Sequence, residues 1–347
     1  MGNKISAFIG NTVVCLKSSR FPLLKLPSDA INNVILTMDP ADLITFSLCT
    51  NSTKRRVASL QLKELRLTLK IDQYIVVEIC WPDDTIVQVF LLDANSEKWV
   101  DSDNKITEFS GPNNAVASFG PADNVNGGLL HAGCREWNKE KYETRDWLEH
   151  FKEVLDANFK HVIFLPNSER YDTPLLENTI GDFSFITVSI SPECTNAHVQ
   201  DLHKQLHSSE NMCLARNPYD ASADFQRFLN RNFDSFGFES MLNPTLEDLL
   251  VSNAAHICMH STLSGRVINR FLKLWVKGGN RQMLRLIMYF NFEERLEMTE
   301  VLKGIEHKPV ERRQNYWMLK RRNASIGGLH TKIVNGFEEL IIFTIED

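Results

Sequence analysis

Between Phe21 and Arg56 apolar residues return at helical spacing. Ile31, Val34, Ile35 and Met38 stand at i, i+3, i+4 and i+7, opposite Asp29, Asn32, Asn33 and Thr37, which predicts a short helix with one dry face. Ser28 is placed to cap that helix, and Pro40 forces it to end at Met38. Asp39 caps a second helix, with Pro40 at its first position and Asp42 three residues after the cap, so Leu43, Ile44, Phe46 and Leu48 supply its buried side. Two such helices make a hairpin, and one this short is stable only against a partner surface.

Further on, the period changes to two. Runs from Leu60 to Leu92, broken by Asp72-Gln73 and by Pro82-Asp83-Asp84, predict an antiparallel meander in which the acidic residues serve a turn. The stretch Asp93 to Gly133 is rich in Asn, Gly, Ser, Asp and Pro and reads as surface loops. Then apolar runs starting near His161, Phe183, Met212, Phe233, Ala255 and Met283 recur roughly every 22 to 28 residues. Helical stretches lie between them at Trp147 to Leu155, Asn196 to Leu206, Ala223 to Leu229, Leu246 to Val251 and Val267 to Val276. That alternation predicts parallel strands with crossover helices, stacked into a leucine-rich-repeat-like curved β/α domain with an open face; a flatter α/β sheet is the alternative. Asn335-Gly336 between two apolar runs signals a closing hairpin. The expected fold is α+β passing into α/β: an arm at 1–20, a helical module at 21–66, antiparallel strands and loops at 67–135, and the β/α domain at 136–347.

Leu26-Pro27, the set Ile31, Val34, Ile35 and Met38, the Asp39-Pro40 step, Asp42-Leu43 and Phe46-Ser47-Leu48 follow one another in an order and spacing that resembles the F-box. The chain departs from that motif at Thr50 and Thr53, where many F-boxes carry a cysteine and a tryptophan. The resemblance implies a linker protein. Its F-box docks on a Skp-type adaptor and through it a cullin, while the rest of the chain recruits a protein substrate for ubiquitin transfer. Leu26, Pro27, Ile31, Val34, Met38, Leu43, Phe46 and Leu48 are the adaptor-facing or hairpin-defining set on this reading. A second stretch, Thr245 to Phe290 with TLEDLL, the run Ile268 to Trp275, Lys277-Gly278 and then Val301 to Ile305, is similar to the type 2 F-box-associated domain of a nematode-expanded F-box family. That likeness implies substrate recruitment and carries over no contact residue.

With 347 residues the chain has room for one large domain plus a small one, or for two medium domains, and a net charge of -6 without a dense Lys/Arg patch argues against nucleic acid as the partner. Seven cysteines at irregular spacing fit free thiols in a reducing compartment, hence an expected cytoplasmic or nuclear protein. Gly2 and Ser6 match the myristoylation pattern, which would bring the chain to a membrane weakly, with Cys15 as a second acyl site.

On the strand Ala255 to Ser261, His256, Cys258 and His260 share one face by the period-2 rule. The spacing resembles metal ligands, but zinc needs about four and no partner motif offers the last, so no metal is assigned. Instead these residues, with Thr187, Ser189, Cys213, Ser235, Glu239, Arg285, Ile287 and Tyr289, are expected on the open face, and His256, Cys258, His260, Arg285 and Tyr289 are the candidate substrate-binding residues. No nucleophile elbow, phosphate loop, HExxH or dinucleotide fingerprint occurs, so no catalytic residue or cofactor is assigned. Two other readings remain open: a binding scaffold outside any ligase, and a cysteine hydrolase.

Overall fold

The computed structural model describes residues 23–62, 65–83, 85–92, 114–121, 134–139, 141–181, 187–205, 211–238, 244–291, 296–310, 315–320, 326–334 and 337–345. Gly2, Cys15, Glu239 and the Asn335-Gly336 turn lie outside them. The chain forms two compact units, one of Met1–Leu67, Tyr74–Ser102 and Phe109–Asn158, the other of Thr68–Gln73, Asp103–Glu108 and Phe159–Asp347. Strand β1 (Arg66–Ile71) carries the chain from the first into the second. Among the described residues no helix is long and apolar enough to cross a membrane.

The first unit begins with α1 (Ser28–Leu36), α2 (Pro40–Cys49) and α3 (Asn51–Ala58). Asp39 caps α2 as expected, its Oδ1 accepting from the Asp42 amide at 2.8 Å. Ser28 does not cap α1. Pro27, held extended by its ring, occupies the cap position, Ser28 is the first helical residue, and its Oγ accepts from Arg56 Nη2 at 3.2 Å. After the helices come β2 (Ile75–Cys80), β3 (Thr85–Leu92), β4 (Asn114–Pro121) and β5 (Cys134–Asn138), antiparallel in sequence order, and then α4 (Thr144–Leu155). Strand β4 corrects the reading of Asp93 to Gly133 as loops throughout: it pairs on both sides, and backbone bonding overrides its weak composition. At the β2–β3 turn Asp83 Oδ1 accepts from the Thr85 amide at 3.0 Å, and the Thr85 bonds lower its pKa. Ile31, Ile35, Ile44 and Val57 of the helical module and Trp147, Leu148 and Phe151 of α4 are buried. The sequence reading divided the chain at 135/136, whereas the compact unit runs on to Asn158, since α4 packs against α3.

In the second unit β6 (Phe159–Phe164), α5 (Thr173–Ile180), β7 (Thr187–Ile190), α6 (Asn196–Gln205), β8 (Asn211–Leu214), α7 (Ser222–Leu229), β9 (Ser235–Phe238), α8 (Leu246–Val251), β10 (His256–His260), α9 (Gly265–Val276) and β11 (Arg285–Asn291) follow in turn. The parallel strands β6 to β11 neighbour one another in chain order, with β1 beyond β6. A right-handed crossover that always advances the same way sets every helix on one face of the sheet. That face is apolar. Val162, Val188, Met212, Phe236, Ile257 and Leu286 are in register across six strands, and all are buried. After α10 (Met298–Val301) and β12 (His307–Pro309) the sheet closes with β13 (Tyr316–Lys320), β14 (Ile326–Val334) and β15 (Phe337–Ile345), β15 lying antiparallel beside β11. A Cβ on Gly327 would come within 2.6 Å of the Trp275 ring, so only glycine lets α9 seat its tryptophan on β14.

Candidate interaction surfaces

Helix α2 is fastened from inside the first unit by side chains distant in sequence. Ser47 Oγ lies 2.9 Å from His150 Nε2 on α4, and Trp137 Nε1 on β5 donates to Thr45 Oγ1 at 2.8 Å. Lys139 Nζ donates to the Leu48 carbonyl, and Lys54 on α3 pairs with Glu153 on α4 at 2.7 Å. Burial first, then the positive charges of Lys54 and Lys139, lowers the His150 pKa to about 3, so the ring is neutral and serves as a hydrogen-bonding strut. These ties occupy the inner side of the hairpin.

The outer side is left apolar and open. Leu24, Val34 and Leu36 are 49%, 39% and 57% exposed, Pro27 is exposed, and Leu26, Met38 and Phe46 are half-buried. Ile31, Leu43 and Leu48 are buried within the unit. The eight residues singled out from the sequence thus divide into five with surface to offer and three that build the hairpin's interior. Sequence reasoning missed Leu24 and Leu36, because both fall outside the apolar period it followed; being large, apolar and off the stripe was the available signal.

The second unit presents a different surface, the sheet face away from its helices. His161, Thr187, Asn211, Ser235, His256 and Arg285 form one row across β6 to β11, and Ile163, Ser189, Cys213, Gly237, Cys258 and Ile287 form the next. These residues are half-buried or exposed, in contrast to the buried rows between them. His260 and Tyr289 are register partners with ring centroids 5.4 Å apart. So His256, Cys258, His260, Arg285 and Tyr289 do share a face. Alternate residues on a strand stand about 6.8 Å apart on one face, so His256, Cys258 and His260 form a row along β10. Among the described residues no group of His, Cys, Asp and Glu is arranged to hold a metal.

A family model for the F-box domain matches residues 23–65, the segment that forms α1 to α3 and the turns around them. The chain carries an F-box. A second model, described as F-box associated, matches residues 224–288, from within α7 to within β11, and so covers the β9 to β11 part of the two sheet rows, including Ser235, His256 and Arg285. Comparison with curated proteins and with solved structures found no match.

Within the F-box the departures at Thr50 and Thr53 have a local role. Thr50 Oγ1 accepts from the Thr53 amide at 3.1 Å and the Thr50 amide donates to Thr53 Oγ1 at 2.9 Å, a capping box that starts α3. Elsewhere the structure brings Cys194, Ser168 and His198 together, with Ser168 Oγ 3.0 Å from His198 Nε2. All three are buried, and burial raises the Cys194 thiol to about 11, the reverse of what activates a cysteine nucleophile.

Proposed function

We propose that the chain is a non-catalytic substrate-recognition subunit of an SCF-type ubiquitin ligase. The observation that carries this reading is an F-box hairpin whose interior is complete while Leu24, Pro27, Val34 and Leu36 remain on the surface. Exposed side chains of this size, gathered in one short segment, mark a protein contact. A Skp-type adaptor, itself held by a cullin, is the partner that segment would take. The second unit would then hold a protein substrate, with His256, Cys258, His260, Arg285 and Tyr289 on its open sheet face as the recognition residues. The chain's contribution is to raise the substrate's effective concentration near the ubiquitin-charged enzyme. Such a role belongs in the cytoplasm or nucleus.

The test is capture of a purified Skp-type adaptor by the full chain and by a Val34→Asp/Leu36→Asp variant. Saturable binding by the parent that the variant loses supports the reading. No binding by the parent refutes it.

A further inference from the structure

Helix α9 carries Arg266, Arg270 and Lys273, and its C-cap is Lys277; at i, i+4, i+7 and i+11 they make a line of cations about 16 Å long on one face. Opposite it Ile268, Phe271, Leu272 and Trp275 are buried, so the charged line faces outward. Asn269 Nδ2 donates to the carbonyls of Val301 and Lys303 at 2.8 and 2.9 Å and holds the following turn to the helix, which adds Lys303 to the strip. That turn closes at Gly304, φ 69°, where a Cβ would stand 3.5 Å from Lys273 Nζ.

Carboxylates are scarce on this strip. Glu300 takes Arg266 Nε at 2.9 Å, while Arg270, Lys273, Lys277 and Lys303 have no carboxylate partner among the described residues. At its start the strip opposes ordinary helix electrostatics, since the first turn of α9 has no acidic residue and Arg266 sits at its positive end, while Lys273 in the last turn follows them. A chain of net charge -6 has therefore gathered Arg266, Arg270, Lys273, Lys277 and Lys303 along one strip, with Glu300 as their one ion-pair partner among the described residues.

We propose that this outward face of α9 docks an acidic segment of a protein, rich in Asp and Glu, with Leu274, 36% exposed, as the apolar contact within the strip. Its length suits about five residues of extended peptide. A strip of about 16 Å fits a short acidic segment but offers too few cations for a long polyanion such as nucleic acid, and one exposed leucine is too small an apolar face to enter a bilayer. The inference rests on the reading of the second unit as a recruiter of protein.

The experiment uses the full chain and a fluorescein-labelled Asp/Glu-rich peptide of about twelve residues, with its Asn/Gln counterpart, read by fluorescence anisotropy at low and physiological salt. The acidic peptide is expected to bind and its amide counterpart not. Arg270→Glu/Lys273→Glu/Lys277→Glu weakens binding about tenfold or more, and Arg270→Lys/Lys273→Arg/Lys277→Arg keeps it within about threefold. An unchanged Kd in the charge-reversed variant at an unchanged thermal midpoint overturns the proposal, as does equal binding of the two peptides. Tighter strip-dependent binding of a single-stranded oligonucleotide or of phosphatidylserine vesicles overturns it too. Adaptor capture by the same variants separates the two ideas: a strip without effect on peptide binding, beside intact adaptor capture, sinks the strip alone.

Discussion

In the first unit the F-box helices are fastened by residues about a hundred positions away: Ser47 meets His150 and Thr45 meets Trp137. In the second unit the long ties are confined, among the described residues, to the segment at Asp72-Gln73, where Asn167 Nδ2 donates to Asp72 Oδ1 at 2.8 Å and the Tyr171 hydroxyl to the Gln73 carbonyl at 3.1 Å. Along the ladder β6 to β11 the ties run between neighbours. Thr245 and Asp248 cap α8, Gln226 on α7 reaches Asp248 at 3.1 Å, and the rest is a ladder of apolar rows. A structure built by repetition can satisfy itself locally, as stacked units do. A docking module cannot, since one of its faces must stay open and the other must be held by whatever the chain supplies later.

The comparison predicts unequal responses to substitution. The largest effect is expected at the ladder's anchor: Trp275→Ala leaves a cavity against Gly327 and costs about 3–5 kcal/mol in urea unfolding of the second unit. If the loss is small, α9 is not what holds that face. Next, Ser47→Ala strands the His150 ring in the first unit and costs about 1–3 kcal/mol, read from the tryptophan fluorescence of Trp137 and Trp147.

The same histidine gives a pH dependence. Folded His150 titrates at about 3 against an ordinary 6.5, so below 6.5 the unfolded chain takes up the proton and the folded one does not. Its stability contribution is whole above 6.5 and is lost as pH falls toward 3, by at most about 1.4 kcal/mol per pH unit. His203, buried in the second unit and lowered to about 3 by burial and by Arg231, behaves alike. Replacing His150 with Gln should flatten the acid response of the first unit and leave that of the second.

At the outer edge, Val34→Asp/Leu36→Asp should reduce adaptor capture about tenfold or more while changing stability by less than about 0.5 kcal/mol per site. A large loss of stability would mean that this edge belongs to the interior after all. Smallest of all, Lys54→Ala removes a partly exposed ion pair to Glu153 and should cost under about 1 kcal/mol.

Much of this architecture was legible in the residues. The Asp39 cap, the helical stretches of α4 and α6 to α9, the recurring strands and the F-box order all follow from local periodicity and capping chemistry, which act within a few residues. What went unread had two sources. Strand β4 exists because β3 and β5 bond to it on both sides, and Thr50 and Thr53, three residues apart, form a local capping box that looked like a departure from a motif.

The candidate sites divide the same way. Period two along β10 was enough to gather His256, Cys258 and His260 on one face, and the register then aligned Arg285 and Tyr289 with them. Sequence alone fixed which residues could be apolar, capped or paired, because those preferences are intrinsic to short segments. Tertiary structure alone decided which of Ile31, Val34, Leu36 and Leu43 stay dry, because burial depends on what the chain folds over each of them, and α4 and β5 arrive a hundred residues later.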